Sequence, residues 1–221
     1  MPICVKRGHF MHKSFIYFIL SILLFLMVIV TNWTIQIKNE KMPAFDEWTR
    51  PYVHLVAETK VYTVFRWITE LGSFHIVFPF TIVMMLIFWI FFKDYLPSCL
   101  FGTGVLITYL INQLLKQIIT RERPSMSVLL NAEGYSFPSG HSMITVVCYG
   151  LVAFFIGLHI SSNKQKIILY MVAGSIIVSV GLSRYILNVH FLTDIVSGFL
   201  FGSIILFGFI HLYKTIMNIR T

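Results

Sequence analysis

Residues 167–187 read IILYMVAGSIIVSVGLSRYIL and carry no charge until Arg184, close to the end. A helix that crosses a bilayer needs about 20 mostly apolar residues, and this run meets that length. A basic residue at the centre of a span costs about 2.5–3.5 kcal/mol on insertion scales. Arg184 is therefore expected near the headgroup level, facing other helices rather than lipid.

Five further runs of the same kind flank it. They cover residues 14–32 (SFIYFILSILLFLMVIVTN), 75–92 (HIVFPFTIVMMLIFWIFF), 96–115 (LPSCLFGTGVLITYLINQLL), 141–160 and 194–213. Of the 221 residues 57% are hydrophobic and only 12% charged. A soluble domain is about 45–50% apolar and about 25% charged. The excess lies in blocks, so the expected fold is an all-α integral membrane protein with six transmembrane helices in a bundle. The first run has basic flanks like a signal peptide, but it is too long and no small-residue cleavage site follows, so it reads as an anchor. Cys4, Cys99 and Cys148 have no metal-ligand spacing or disulfide framework, and Cys99 and Cys148 read as packing residues.

Orientation follows the basic residues. With Lys6, Arg7 and Lys13 inside, the inner connections carry Lys93, Lys164 and Lys166, and the C-terminus carries Lys214 and Arg220. The opposite side is also rich in basic residues, but Lys38, Lys41, Arg50, Lys60 and Arg66 of the 36–72 segment are matched by Glu40, Asp46, Glu47, Glu58 and Glu70, so the net charge of +8 reflects inner loops and implies no nucleic acid partner. The chain reads as one domain over 1–221. It has a cytoplasmic N-terminus (1–13), a first span (14–35), an extracytoplasmic segment (36–72), a five-span core (73–213) and a cytoplasmic tail (214–221). Trp33, Trp89, Tyr95 and Tyr213 fall near span ends, as interfacial aromatics do. In the 36–72 segment, Val53, Val56, Ala57, Tyr62, Val64, Phe65 and Trp67 make an apolar face, with Pro51 starting or kinking the helix. An interfacial helix and an ordinary loop lid are the two readings of this segment.

A second set of charges remains. Lys116, Arg121, Glu122 and Arg123 follow the third span. Glu133 and His141 precede the fourth. Arg184, His190 and Asp194 surround the junction of the fifth and sixth. The parity of the crossings brings all three groups to one membrane face. Any one of them alone reads as a snorkelling residue or a loop ion pair; together they read as a site for a polyanion.

The residue types suit phosphoryl transfer. Lys116 and Arg123 are about two helical turns apart and share a face if the helix persists, and Pro124 turns the chain. Ser139-Gly140 precede a helix whose free amides and positive dipole end suit phosphate. Arg holds phosphate oxygens bidentately, while Lys acts as a point charge. His190 and Asp194 stand at i, i+4, so on a helix the carboxylate can orient the imidazole. His141 supplies a second imidazole for general acid work.

Lys116, six residues, then Arg123-Pro124; Pro138-Ser139-Gly140-His141; and Ser183-Arg184, five residues, His190, three residues, Asp194: this ordered trio resembles the type-2 phosphatidic acid phosphatase superfamily. That superfamily also contains bacterial acid phosphatases and vanadium haloperoxidases. The resemblance implies His190 as the nucleophile of a phosphohistidine, Asp194 as its orienting group and His141 as the leaving-group acid. Lys116, Arg123, Ser139, Gly140 and Arg184 would hold the phosphoryl oxygens. It further implies no metal, no cofactor and no obligate protein partner. The substrate would be a membrane lipid phosphate at the outer face of the plasma membrane: undecaprenyl pyrophosphate, phosphatidylglycerophosphate or phosphatidic acid.

Alternatives remain open at this level. The same site could pass phosphate to another lipid. A transporter or binding module for anionic lipids would share the basic face without needing two histidines and an aspartate. A zinc hydrolase would use those three as ligands. Arg121 is a further candidate for the clamp, with Glu122 or Glu133 tuning it. Phe137 and Ser183 read as packing or supporting residues, and His54, His75, His159 and His211 as structural or interfacial ones. Asn32–Thr34 form a sequon too close to a span end to weigh.

Overall fold

A computed structural model describes residues 13–54, 60–124 and 134–220. Among these are eight helices: α1 (Lys13–Lys38), α2 (Ala44–His54), α3 (Lys60–Glu70), α4 (Phe74–Phe92), α5 (Tyr95–Ile119), α6 (Gly140–Gly157), α7 (Asn163–Ile186) and α8 (Leu192–Arg220). Six stretches are long and apolar enough to cross a membrane: α1 from Leu20 to Lys38, a run from Tyr62 in α3 to Phe92 at the end of α4, and α5 to α8. The chain is an all-helical, multi-pass membrane protein. Cys4, Lys6, Arg7, Val56, Ala57 and Glu133 lie outside the described residues.

The helix ends have local causes. Asp94 caps α5 by accepting from the Leu96 amide at 3.0 Å, and Pro97 sits in the first turn, where a missing N–H costs nothing. Ser162 caps α7 by accepting from the Gln165 amide. Ser139 caps α6 in the same way through the Ser142 amide. Helix α5 stops at Ile119 because Thr120 turns left-handed (φ 51°), its amide donating to the Lys116 carbonyl. Lys116 and Arg123 therefore do not share a helix face; Arg123 stands on the extended strand of chain that follows.

Helix α6 is the central post, packed by α5, α7 and α8 and buried on several faces. Its packing against α8 is the most extensive in the bundle, and backbone meets backbone there. A β-carbon on Gly198 would meet the Ser139 carbonyl oxygen at 2.7 Å, and one on Gly202 would meet the Met143 carbonyl oxygen at 2.8 Å. Lipid tails are as apolar as leucine, so helices in a bilayer associate through close packing, which small residues four apart permit. Asp194, Gly198 and Gly202 lie on this one stripe, so the packing that joins α8 to α6 also presents Asp194 to the α6 N-terminus.

The bundle is polarised along its length. One half is a dry core of Phe88, Phe101, Phe155, Leu151 and Tyr213 with their neighbours, in which Phe88 meets Phe155 at 5.2 Å and Tyr213 meets Phe155 at 5.3 Å between ring centroids. The other half holds buried Asp46, Asn112, Arg121, Ser136, Ser139, His190, Thr193 and Asp194. A smaller apolar cluster of Val30, Ile37, Ile119, Phe137 and Leu200 ties α1 to this polar half.

Several expectations change. Tyr213 is a core residue rather than an interfacial one. Cys148 is buried, but Cys99 is exposed on α5. Among the described residues the 36–72 segment holds two helices, α2 and α3; of the two readings of Pro51 the helix start is excluded, since Pro51 lies inside α2. Helix α1 continues to Lys38, so Asn32 lies within a helix and its Oδ1 accepts from Gln36 Nε2 at 2.6 Å. Helix α8 runs on through the expected tail to Arg220, whose guanidinium donates to Asp94 at 2.7 Å and anchors the extension.

Candidate active site

Four helix ends meet at the polar half: the C-terminal ends of α5 and α7 and the N-terminal ends of α6 and α8. Between α7 and α8 the chain reverses through Asn188 in the left-handed conformation (φ 53°), which Asn tolerates better than most residues. The Arg184 carbonyl accepts from the amides of both Val189 (3.1 Å) and His190 (3.2 Å). This turn folds His190 back over the end of α7 and sets it ahead of Asp194, in the first turn of α8.

His190 is 2% exposed and held on both ring edges. Its Nδ1 lies 3.4 Å from Asp194 Oδ2, and its Nε2 lies 3.2 Å from Arg123 Nη1. A guanidinium can only donate, so Nε2 carries the lone pair and Nδ1–H faces the carboxylate. Burial, first, and then the Arg123, Arg184 and Lys116 cations hold the imidazole pKa well below the usual 6.5. The ring is neutral, with its lone pair turned toward positive charge.

Asp194 is fully buried. Its Oδ2 accepts from the Phe191 amide at 2.9 Å and from the Ser136 hydroxyl. Its Oδ1 accepts from Arg121 Nη1 at 2.6 Å. The Ser139 amide donates to its backbone carbonyl at 3.0 Å, stitching the PSGH turn to α8.

The cations surround the ring. The charges of Arg123 and Arg184 act on Lys116. Arg123 is further braced by donating to the Val189 and Gly134 carbonyls, each at 2.9 Å. Arg184 Nη1 donates to Thr69 Oγ1 at 2.9 Å, while its buried Nε has no hydrogen-bond partner among the described residues. Ser139 is fully buried, its oxygen accepting from the Ser142 amide and hydroxyl. The first intrahelical bond of α6 runs from Met143 to the Ser139 carbonyl, which leaves the Gly140 and His141 amides at the positive end of the dipole. His141 packs against Gly72, in the turn between α3 and α4.

The family described as the PAP2 superfamily matches residues 97–218. The chain belongs to the PAP2 superfamily. It is 31% identical over 191 residues to phosphatidylglycerophosphatase B of Bacillus subtilis (strain 168), covering 85% of this chain and 90% of the relative. A crystal structure described as the first transmembrane PAP2-type phosphatidylglycerolphosphate phosphatase, also from Bacillus subtilis, superposes with a TM-score of 0.78 at 29% identity, covering 89% of this chain and 96% of that one. The protein is a membrane-embedded PAP2 lipid phosphatase.

All eight PAP2 site residues expected from the sequence stand at this one end of the bundle. Arg121 does not join the clamp: its guanidinium is tied to Asp46 and Asp194. Glu122 is exposed. Phe137 and Ser183 are buried supports; Phe137 packs with α1 and α8, and the Ser183 hydroxyl donates to the Val180 carbonyl. His159 sits edge-on to Phe91 and Phe92. Four contributors went unread in the sequence: Asp46, Thr69, Asn112 and Ser136. Asn112 had a signal, since it is a polar residue inside an apolar span, four before Lys116 and so on the same helix face. Its Nδ2 donates to the Pro138 carbonyl at 3.1 Å and props the PSGH turn.

Proposed function

We propose that this phosphatase works through a phosphohistidine on His190 and that its substrate is a lipid phosphomonoester of the phosphatidylglycerophosphate kind. The observation that carries the reading is the placement of the ring, with Nε2 3.2 Å from Arg123 Nη1 and Nδ1 3.4 Å from Asp194 Oδ2, from which the tautomer follows. Nδ1–H faces Asp194 and the Nε2 lone pair faces the cations, which is the arrangement a nucleophilic imidazole needs.

Lys116, Arg123 and Arg184 hold the phosphoryl oxygens, helped by the Gly140 and His141 amides. Ser139, fully buried, contributes as the cap of the helix that offers those amides. His190 Nε2 attacks phosphorus; the N–P bond forms as the bond to the lipid oxygen breaks. Positive charge grows on the ring and is stabilised by Asp194. His141 delivers a proton to the departing oxygen. Water then attacks phosphorus, His141 takes its proton, and His190 leaves. Charge on the transferring group is matched by fixed cations, so the chemistry runs on this chain's own side chains without a metal. The named relative supports phosphatidylglycerophosphate over other lipids, and the basic residues of the inner loops support a site on the extracytoplasmic face with both termini inside.

The test is phosphate release by detergent-purified protein from phosphatidylglycerophosphate, phosphatidic acid and undecaprenyl pyrophosphate, with and without EDTA. We expect the first to be turned over best and EDTA to have no effect. His190→Ala should abolish release, and a phosphate trapped on His190 should be visible by mass spectrometry. Full activity in His190→Ala would reject the nucleophile, and zinc-restorable loss in EDTA would reject the metal-free route.

A further inference from the structure

We propose that Asp46 and Arg121 are positioning residues for the nucleophile, acting through Asp194, so that the extracytoplasmic segment is a working part of the active site. The proposal rests on the reading of His190 as nucleophile and Asp194 as its orienting group.

The arrangement is a closed set of buried bonds. Arg121 Nη2 donates to Asp46 Oδ2 at 2.7 Å, and its Nη1 donates to Asp194 Oδ1 at 2.6 Å and to Thr193 Oγ1 at 2.8 Å. Asp46 also takes the start of α8 in hand. Its Oδ1 accepts from the Thr193 amide at 3.0 Å, and its Oδ2 from the Thr193 hydroxyl at 2.6 Å. A residue of α2 thus does for α8 what a capping side chain ordinarily does from within its own helix. The Arg121 guanidinium lies 3.9 Å from the centre of the Phe191 ring, which fixes its plane. Arg121 is 8% and Asp46 1% exposed.

This geometry determines how Asp194 meets His190. A carboxylate has two oxygens, and Arg121 occupies Oδ1. Oδ2 is left for the side where Ser136, the Phe191 amide and His190 Nδ1 lie. Asp46 balances Arg121: one guanidinium shared between two carboxylates draws less strongly on either. Without Asp46, Arg121 would serve Asp194 alone and compete with His190 for it. Without Arg121, two buried carboxylates would face each other unpaired, which is strongly unfavourable. Neither residue belongs to the phosphate clamp: Arg121 is engaged by Asp194, Thr193 and Asp46, and Asp46 by Arg121 and Thr193.

The experiment compares Asp46→Asn, Arg121→Lys and Asp194→Asn, alone and as the Asp46→Asn/Asp194→Asn pair, with His190→Ala as reference. It measures kcat, KM and inhibition by inorganic phosphate in detergent. Orienting partners of a reacting group are commonly worth roughly 10- to 100-fold. We expect Asp46→Asn and Arg121→Lys to lose kcat on that scale with KM and phosphate inhibition unchanged. Asp46→Asn should cost nothing further on the Asp194→Asn background. Wild-type kcat in either folded variant, weakened phosphate inhibition, or additive losses in the double variant would each overturn the proposal. If Asp46→Asn does not yield monodisperse protein, Arg121→Lys, which keeps the charge and loses the fork, decides alone on kcat and phosphate inhibition. An active His190→Ala would instead sink the underlying mechanism; an inactive His190→Ala beside a fully active Asp46→Asn would sink this proposal only.

Discussion

Gly72 packs directly on His141: a β-carbon there would lie 3.0 Å from the imidazole Cδ2, 2.7 Å from Val180 Cγ1 and 3.2 Å from Thr145 Cγ2. The ring that delivers the leaving-group proton in the proposed mechanism is thus seated against bare backbone. Tyr149 holds the same turn in register by donating its hydroxyl to the Leu71 carbonyl at 2.7 Å.

Gly72→Val should therefore displace His141, together with Val180, whose side chain lies nearest. A misplacement of about 1 Å can cost on the order of 100-fold in rate, so we expect a kcat loss of roughly 10- to 100-fold and a smaller loss in Gly72→Ala. Gly174→Ala, where a β-carbon meets nothing within 4 Å, should retain full activity. A Gly72→Val enzyme as fast as wild type would mean that this seat does not set the position of the acid.

The pH dependence follows from His190. An unfolded histidine titrates near 6.5, and the folded ring lies well below this because burial and then Arg123, Arg184 and Lys116 oppose its charging. Between the two values the unfolded chain binds a proton that the folded chain does not. Stability from this group is therefore complete above about pH 6.5 and falls as the pH drops below it. The His190 ring, the nucleophile of the proposed mechanism, should still be neutral at pH 6. Spectra of 15N-histidine-labelled protein in micelles, assigned with a His190→Asn variant, test this. A His190 midpoint at or above 6.5 would contradict it.

How much could be read from residues alone depended on how far apart the partners lie. Spacing along a span and the alternation of crossings were enough to bring Lys116, Arg184, His190 and Asp194 to one end. Those relations are local, or follow from the membrane's two sides. The role of Arg121 was not legible. A lone arginine beside Lys116 and Arg123 looks like one more cation for an anion. What decides otherwise is Asp46, 75 residues away, delivered by a helix whose docking on α8 no periodicity announces. Thr69 and Arg184 are 115 residues apart, and Asn112 and Pro138 are 26 apart. Such contacts depend on the register of packed helices, which a chain-local pattern does not contain.

Asn112→Ala should loosen the PSGH turn. Its loss leaves the buried Pro138 carbonyl unpaired, at a cost of about 1–3 kcal/mol, and opens space where Asn112 Oδ1 now stands within 2.8 Å of the β-position of Gly140. The first amides of α6, which hold phosphate in the proposed mechanism, then lose their fixed aim. We expect a lower melting temperature in detergent and a raised KM. An unchanged KM in a destabilised variant would assign Asn112 to the fold alone.

The closest test of how packing makes the site is Gly198→Ala. The new methyl would meet the Ser139 carbonyl oxygen at 2.7 Å and Ser142 Cβ at 2.8 Å. The first of these is backbone, so no side-chain rotation can relieve it, and α8 must move away from α6. That movement strains the 3.0 Å bond from the Ser139 amide to the Asp194 carbonyl, through which the PSGH turn and Asp194 share one frame. Overpacking of this kind costs about 1–3 kcal/mol. At Gly208, farther along α8, a β-carbon meets nothing within 4 Å, and alanine in a helix interior is favoured over glycine by about 0.5–1 kcal/mol. Gly208→Ala should thus hold or slightly raise the melting temperature with full activity, whereas Gly198→Ala should lower both. Equal behaviour of the two variants would show that the α6–α8 approach does not set the spacing of the catalytic groups.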